Sequence, residues 1–542
     1  MRRVKLISLS ATSGILLSLP WLISSLSWVL FFAFVPLLMA EYQLIKQKHQ
    51  RISSFFLPAF IAFLIWNLLS CWWIGHVSLV GMLLIAAINA LLMTTFWYLR
   101  HLVRRQFGDM SAYFSLIVFW LTFEFLQHNW TIQWPWLTLG NGFANSVKII
   151  QWYEFTGVLG GSLWVLISNI LIFFAAKSLS DKLFLKSIKP VVFTLIVVFL
   201  PLFWSLFLYS NYSEKGAVQK VVVLQPNIDP YTEKFSGISS EFQVSNLLSL
   251  ADSNISDSTD FIIAPETALP SMWEDSIIQN QSLQRISKII RKYPRISFIG
   301  GAITQRKFIS GELISGTARQ SADSSFYYDV FNSALMIDSI SGVQLSHKSI
   351  LVSGVEKMPF QKYFSFLGKY VLHLGGTSGS LATANEIVLF SGKDGVKIGP
   401  VICFESAFGE YVGRLVKNGA NLIFVITNDG WWKDSPGCWQ HFGYSRLRAV
   451  ETRRSIARCA NTGISGFINQ RGDVLKKTGL NLCEALYSPI RMNDKITFYV
   501  SWGDYLGRIS VFLSMLIVIY LLICRWRGSD IFHSILGKKN PH

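Results

Sequence analysis

Long apolar blocks, joined by short polar segments, are the feature of this sequence that most constrains its fold. A helix needs about 20 apolar residues to cross the hydrocarbon core of a bilayer. Eight blocks approach that length, at 5–22, 25–39, 55–73, 79–98, 111–126, 158–176, 190–209 and 506–524. The first two are divided by a short break and could alternatively form a re-entrant pair. We therefore predict a membrane bundle of about seven helices over residues 1–210 and a C-terminal membrane helix over 506–524.

Lysine and arginine are distributed unevenly among the segments that join these blocks. They are concentrated at the N-terminus, after the second, fourth and sixth blocks, and in the C-terminal tail, whereas the segment 127–157 has only Lys148. Because basic loops stay in the cytoplasm, we expect both termini there and the polar stretch before the last block outside. Attraction of these loops to anionic head groups also accounts for much of the net charge of +17. We expect no nucleic-acid partner.

Residues 218–490 have the composition of a single folded domain outside the membrane. Strand-like apolar runs lie at 221–225, 261–266, 297–303, 333–338, 398–405, 421–429, 455–463 and 466–475. Helical patterns lie between them, at 240–251, 277–292, 408–418 and 439–454. Runs rich in Val and Ile that are apolar on both faces are typical of strands covered by helices. The domain is therefore predicted to be an α/β sandwich, and it has no nucleotide-binding motif.

Three residues with complementary chemistry lie at or near predicted strand ends, namely Glu266, Lys348 and Cys403. In α/β folds such ends are where ligands bind. A thiolate can attack an acyl carbon, a carboxylate can take the thiol proton, and an ammonium can stabilise both thiolate and oxyanion. Each residue alone also has an ordinary interpretation, as a core cysteine, a capping glutamate or a surface lysine. The residues by themselves leave both interpretations open.

The wider sequence favours the catalytic interpretation. The order "APE…K…CFE", followed by "ITNDGWW" and "QHFGYSRLRAVETRR", resembles the nitrilase superfamily. With the membrane helices, "WPWLTLGN" at 134–141 and "QPN" at 225–227, nearly the whole chain resembles the apolipoprotein N-acyltransferase family, the membrane-embedded branch of that superfamily. This resemblance implies a nitrilase-like αββα sandwich with Glu266 as the general base, Lys348 as the stabilising cation and Cys403 as the nucleophile.

The resemblance also implies supporting residues. Glu356 and Glu405 match two further acids of the family, and the backbone N–H of Phe404 would be a second oxyanion donor. The sequence departs from the family at two places. Phe404 stands where a tyrosine is common, and the tryptophan expected after the first strand is absent, with Tyr231 or Phe235 as replacements.

Aromatic residues are the expected substrate contacts. They are Tyr231, Phe235, Trp431 and Trp432, together with His441. We interpret 429–442 as a mobile loop that dips into the membrane; the alternative is a packed sandwich edge in which His441 caps a helix. Four tryptophans suit either an interfacial collar or an ordinary aromatic belt, at positions Trp130, Trp134, Trp136 and Trp152.

The implied reaction carries a fatty acyl group from a phospholipid, through a cysteine thioester, to the α-amino group of a lipoprotein's N-terminal diacylglyceryl-cysteine. We expect this at the periplasmic face of the bacterial inner membrane, by a monomer without metal or cofactor. The alternatives are a membrane-anchored amidase or nitrilase acting on small amides, and a catalytically silent membrane scaffold. The disulfide state of Cys438, Cys459 and Cys483 is left open.

Overall fold

The computed structural model describes residues 2–46, 52–235, 237–357, 380–384 and 386–536. Its helices are α1 (Arg2–Leu22), α2 (Val35–Ile45), α3 (Phe56–Cys71), α4 (Leu79–Asn129), α5 (Tyr153–Ser180), α6 (Phe184–Asn211), α7 (Ser240–Asp252), α8 (Gln281–Lys292), α9 (Gly409–Lys417), α10 (Pro436–Thr452), α11 (Phe498–Trp502) and α12 (Tyr505–Leu536). Its strands are β1 (Val218–Gln225), β2 (Phe261–Ile263), β3 (Leu269–Trp273), β4 (Ser297–Lys307), β5 (Arg319–Gln320), β6 (Tyr327–Asp338), β7 (Gly342–His347), β8 (Phe390–Ser391), β9 (Lys397–Ile402), β10 (Leu422–Thr427), β11 (Ile456–Ala460), β12 (Gly466–Ile468), β13 (Val474–Lys477) and β14 (Glu484–Arg491).

The apolar blocks form helices that are long enough to cross a membrane. Within the described residues, seven helical segments meet the length and hydropathy of a span, and one of them is the 51-residue helix α4. At 1.5 Å per residue α4 would measure roughly 75 Å, more than twice the hydrocarbon thickness. It changes direction at Gly108, whose φ of +81° is open to glycine without a steric penalty. Helix α4 therefore accounts for two of the eight predicted crossings.

The second apolar block is not a continuous α-helix. It begins with a 3₁₀ helix, Ser24–Phe31, and continues as α2, Val35–Ile45. The tryptophans expected at a membrane interface are also placed differently, because Trp136 and Trp152 are only 1% and 6% exposed. These two side chains belong to the core of the molecule rather than to a collar facing lipid.

The domain between α6 and α12 is a sandwich of two sheets. One sheet has the strand order β14-β1-β2-β4-β6-β5, with β3 beside β4 and β7 beside β6, and the other has the order β13-β12-β11-β10-β9-β8. The central strands β1, β2 and β4 run parallel, as do β9, β10 and β11. Every strand predicted from sequence is present, but β3, β5, β7, β8 and β14 are not predicted. Polar residues or proline interrupt the apolar pattern of β3, β7 and β14, and β5 and β8 have only two residues each.

Alternate side chains of each strand enter different cores, which gives the domain four layers. Val221 and Val223 point between the two sheets, whereas Val222 and Leu224 pack under α7 and α8. The outer face of the second sheet is covered by α9 and α10, and this core continues into that of the membrane helices. The sequence prediction of an αββα sandwich is confirmed, and the second sheet is the one that faces the membrane part.

A buried amide joins the sandwich to the membrane helices. Gln440, on α10, accepts hydrogen bonds from the indole N–H groups of Trp73 (3.1 Å) and Trp136 (2.6 Å). Its NH₂ group donates to the backbone carbonyls of Trp21 and Ser70. Because all four partners belong to the membrane part or to the segments that join its helices, α10 is fixed against that part, and the sandwich cannot pivot freely at this point.

Candidate active site

The three reactive residues singled out in the sequence lie on loops that follow strands. Glu266 lies three residues after β2, Lys348 immediately after β7, and Cys403 immediately after β9. The predicted strands had included Glu266 and Cys403, but both strands end earlier. All three side chains line one cavity of about 130 Å³. The sandwich therefore brings together residues that are up to 137 positions apart in the chain.

A buried ammonium lies between two carboxylates in this cavity. Lys348 Nζ is 3.1 Å from Glu266 Oε1 and 2.8 Å from Glu356 Oε1, and the lysine is only 1% exposed. Burial acts to lower the pKa of Lys348, but the two carboxylates outweigh it and hold that pKa well above its usual value. Lys348 therefore stays charged at physiological pH.

Asn332, on β6, links the same two carboxylates. Its side-chain NH₂ donates to Glu266 Oε1 at 2.8 Å and to Glu356 Oε1 at 3.0 Å. Glu356 is held further by the backbone N–H of Val352, at 2.9 Å from Oε2. The sequence analysis missed Asn332. Its signal was a polar side chain in an otherwise apolar strand, "VFNSALMID".

The cysteine occupies a strained turn. Cys403 has φ +54°, a left-handed conformation that is uncommon for residues other than glycine, and it begins the 3₁₀ helix Cys403–Ala407. Burial raises the pKa of Cys403, the charge of Glu266 acts in the same direction, and Lys348 opposes both. The resting sulfur is therefore a neutral thiol, and a base must remove its proton when it attacks.

Glu405 joins the cysteine turn to the lysine loop. Its Oε2 accepts a hydrogen bond from Ile402 N (2.8 Å), and its Oε1 accepts hydrogen bonds from Ser349 N (2.7 Å) and Ile350 N (3.2 Å). The residue is fully buried, and burial raises its pKa to about 7 although these N–H groups oppose the shift. Glu405 thus fixes Cys403 and Lys348 relative to each other through their backbones.

His441 lies beneath the cysteine rather than on the cavity. It is fully buried, and its Nε2 lies 3.1 Å from the carbonyl oxygen of Cys403 and 2.9 Å from Ser406 Oγ. Its Nδ1 is 2.8 Å from Asp429 Oδ1, and Asp429 pairs with Arg458 at 2.7 Å. The expectation that His441 contacts substrate is therefore corrected, and so is the expectation that it caps a helix, because it lies inside α10. It supports the backbone of Cys403.

Three of the other predicted contact residues line the cavity. Phe235, Trp431 and Trp432 line it together with Val77, which follows the 3₁₀ helix Trp72–His76 between α3 and α4. Phe235 stacks on Trp431 with ring centroids 5.9 Å apart. The cavity therefore includes a residue from the segment that joins two helices of membrane-spanning length.

Tyr231 is not among the lining residues of the cavity, but it contacts Trp431, which is. Its hydroxyl donates to the carbonyl oxygen of Trp431 at 2.7 Å, and its ring meets the Trp431 ring edge-on. Trp432 packs against Trp73, with centroids 4.6 Å apart. Residues 429–442 are therefore not an extended loop, since they form a 3₁₀ helix, Asp429–Trp432, and the first turns of α10.

Phe404 turns away from the reacting groups. Its ring is 6% exposed and lies parallel to Trp136, with centroids 6.5 Å apart, and edge-on to Phe408.

Cys438 and Cys459 are buried free thiols, and Cys483 is an exposed free thiol. Among the described residues, no group of three or more His, Cys, Asp or Glu side chains could hold a metal ion.

Comparisons with known proteins agree with this arrangement of helices and sandwich. The model of the carbon-nitrogen hydrolase family matches residues 223–494, and the model of the apolipoprotein N-acyltransferase N-terminal domain matches residues 13–171. The apolipoprotein N-acyltransferase of Chlorobaculum tepidum is 28% identical over 488 residues, which cover 88% of each chain. That of Geobacter metallireducens is 27% identical over 515 residues, which cover 92% of this chain and 91% of the relative. The chain therefore belongs to the carbon–nitrogen hydrolase family and, within it, to the membrane-embedded apolipoprotein N-acyltransferases.

Proposed function

We propose that this multi-pass membrane acyltransferase moves a fatty acyl group from a phospholipid to the α-amino group of a diacylglyceryl-cysteine at the N-terminus of a lipoprotein. The observation that carries the proposal is the buried Lys348 ammonium between Glu266 and Glu356, in the cavity that also holds Cys403. A buried charge that is paired and hydrogen-bonded in this way is typical of a functional site. The relatives' names supply the substrate class.

In the first stage, Cys403 attacks the sn-1 ester carbonyl of the phospholipid. Glu266 accepts the thiol proton as the carbon–sulfur bond forms, because the resting sulfur is neutral. Lys348 and the backbone N–H of Phe404 stabilise the oxyanion. When the ester carbon–oxygen bond breaks, Glu266 returns the proton to the departing lysophospholipid. The acyl group remains as a thioester on Cys403.

In the second stage, the amine of the acceptor attacks the thioester carbon. Glu266 takes one proton from the attacking amine and returns it to the sulfur as the carbon–sulfur bond breaks. The products are an amide and the free thiol, so the reaction follows a ping-pong scheme. Apolar side chains around the cavity, including Val352, Val355 and Leu381, limit hydrolysis of the thioester by water.

The site is reached from the bilayer. Both substrates have acyl chains, each methylene of which stabilises membrane residence by about 0.8 kcal/mol. Val77, in the segment between α3 and α4, lines the cavity, which supports lateral entry of lipids at this side. The distribution of lysine and arginine supports cytoplasmic termini and a periplasmic catalytic domain in a bacterial inner membrane. The chain acts as a monomer, since each copy supplies the proposed catalytic residues.

Intact-protein mass spectrometry after incubation with phospholipid tests the proposal. Wild-type protein should gain the mass of one acyl group and lose it when a diacylglyceryl-cysteine peptide is added. Cys403→Ala should gain none, whereas Cys483→Ala, which removes an exposed thiol outside the cavity, should behave as wild type. Turnover of small amides without a lipid-derived adduct would contradict the proposal in favour of an amidase.

A further inference from the structure

A second lysine lies against the proposed general base, and the mechanism above does not use it. Lys234 lies in the turn after β1, is 7% exposed, and donates from Nζ to the backbone carbonyl oxygen of Glu266 at 3.0 Å. Its own carbonyl accepts a hydrogen bond from Gln243 on α7 at 2.8 Å. Among the described residues Lys234 has no carboxylate within ion-pair distance. An ammonium buried without such a partner is costly and rarely retained for stability alone.

The backbone that Lys234 contacts has little freedom. A side-chain carbon on Gly301 would lie 2.8 Å from Glu266 Cα and 2.6 Å from Thr267 N, so β4 packs tightly against this loop. Thr267 itself has φ +50°, in the left-handed region. The backbone of Glu266 is therefore held on one side by packing against β4 and on the other by the hydrogen bond from Lys234 in the turn after β1.

Lys234 also changes the charge of the site. Several charged or titratable groups face this region: Glu266, Lys348, Glu356 and Cys403 on the cavity, Glu405 near Lys348, Lys357 near Glu356, Asp429 in its pair with Arg458 and His441, and Asp229 and Glu233 on the exposed turn. With Cys403 as a thiol, Glu266 and Glu356 carry two negative charges and Lys348 one positive charge. Lys234 adds a second positive charge on the side of Glu266. Burial lowers the pKa of Lys234 to about 8, with Glu266 opposing, so the residue is still charged near neutral pH.

We propose that Lys234 is a positioning residue that fixes the backbone of Glu266 and places a second positive charge near the Glu266 carboxylate. The inference rests on the proposed function of Glu266. It distinguishes the two lysines of the site. Lys348 contacts the reacting groups, whereas Lys234 acts through Glu266.

The test is the pH dependence of single-turnover acylation of Cys403 by phospholipid, without acceptor, in full-length protein. Lys234→Gln keeps a donor for the Glu266 carbonyl but removes the charge, and Lys234→Arg keeps the charge. In the pH–rate profile of Lys234→Gln, we expect the midpoint of the acidic limb to rise by about one pH unit, in line with the effect of a nearby charge. The midpoint for Lys234→Arg should stay near that of the wild type. Lys292→Gln, an exposed change on α8, should match wild type.

Two further variants separate charge balance from folding. Glu356→Gln should move the acidic limb down, and combining it with Lys234→Gln should bring the limb back toward the wild-type position. Lys234→Met serves as a second neutral variant if the amide disturbs folding. A neutral variant with a wild-type limb overturns the inference, as does a lowered melting temperature with an unmoved limb. If wild-type protein forms no adduct at Cys403, the proposed function fails and the inference fails with it.

Discussion

Replacing Glu356 by glutamine should slow acylation of Cys403 without unfolding the protein. The carboxylate accepts three hydrogen bonds in the structure, from Lys348 Nζ (2.8 Å), Asn332 Nδ2 (3.0 Å) and Val352 N (2.9 Å). A glutamine has only one acceptor oxygen. If that oxygen faces Lys348, its NH₂ group faces the N–H of Val352, and if the amide is flipped, two donors face each other at Lys348.

The size of the effect follows from the bond that is lost. A hydrogen bond to a charged group contributes about 1.5–3 kcal/mol. The proposed mechanism uses Lys348 to stabilise the oxyanion, so an error in the position of this lysine raises the acylation barrier. At about 1.36 kcal/mol per factor of ten, acylation should slow by roughly 10- to 100-fold.

Quenched-flow acylation, read by mass spectrometry of the Cys403 peptide, measures this rate directly. Glu241→Gln, an exposed acid-to-amide change on α7, is the matched control and should acylate at the wild-type rate. If Glu356→Gln acylates as fast as the control at every pH, the bridging of Lys348 by two carboxylates is not part of catalysis, and the reasoning above is wrong.

Three further predictions concern the surroundings of the site. Gly301→Ala should displace the backbone of Glu266 and lower the acylation rate at least about tenfold, whereas Gly316→Ala, where nothing lies within 4 Å, should leave it unchanged. Burial opposes the ionisation of Asp429, but its partners lower its pKa to about 2, so its ionised form stabilises the fold above about pH 4. Between pH 4 and 2 the wild type should lose about 2 kcal/mol more of its unfolding free energy than Asp429→Asn does, and equal losses in thermal melts would contradict this assignment. Gln440→Leu should lower the unfolding free energy by about 2 kcal/mol or more, because four buried partners lose their hydrogen bonds; an unchanged melting temperature would exclude this role at the domain junction.

The apolar pattern predicted the architecture because each element is specified by local residues. The blocks near 20 residues became membrane helices, and the Val- and Ile-rich runs became strands buried on both faces. Boundaries were less predictable. The strand that ends in "PVIC" stops at Ile402, because the left-handed backbone of Cys403 cannot continue the pleat.

The substrate contacts were the least predictable part of the site. Trp431 and Trp432, which we predicted to contact substrate, line the cavity, but His441, only a few residues further on, does not. The difference comes from the helix that begins at Pro436, which turns His441 toward Asp429 and the carbonyl of Cys403. The position of His441 along the sequence does not indicate which way its side chain points from that helix.

By itself, the sequence determined that the chain has helices long enough to cross a membrane and that a sandwich domain follows them, and it singled out Glu266, Lys348 and Cys403 as candidate catalytic residues. Hydrophobic length and strand periodicity are local properties, so they can be read along the chain. Only the tertiary structure decided that Glu356 pairs with Lys348, that Asn332 bridges the carboxylates of Glu266 and Glu356, that His441 lies under Cys403 and that Lys234 contacts Glu266. Those contacts join residues far apart in the chain, and they exist only once β2, β6, β7 and β9 are packed into one sandwich.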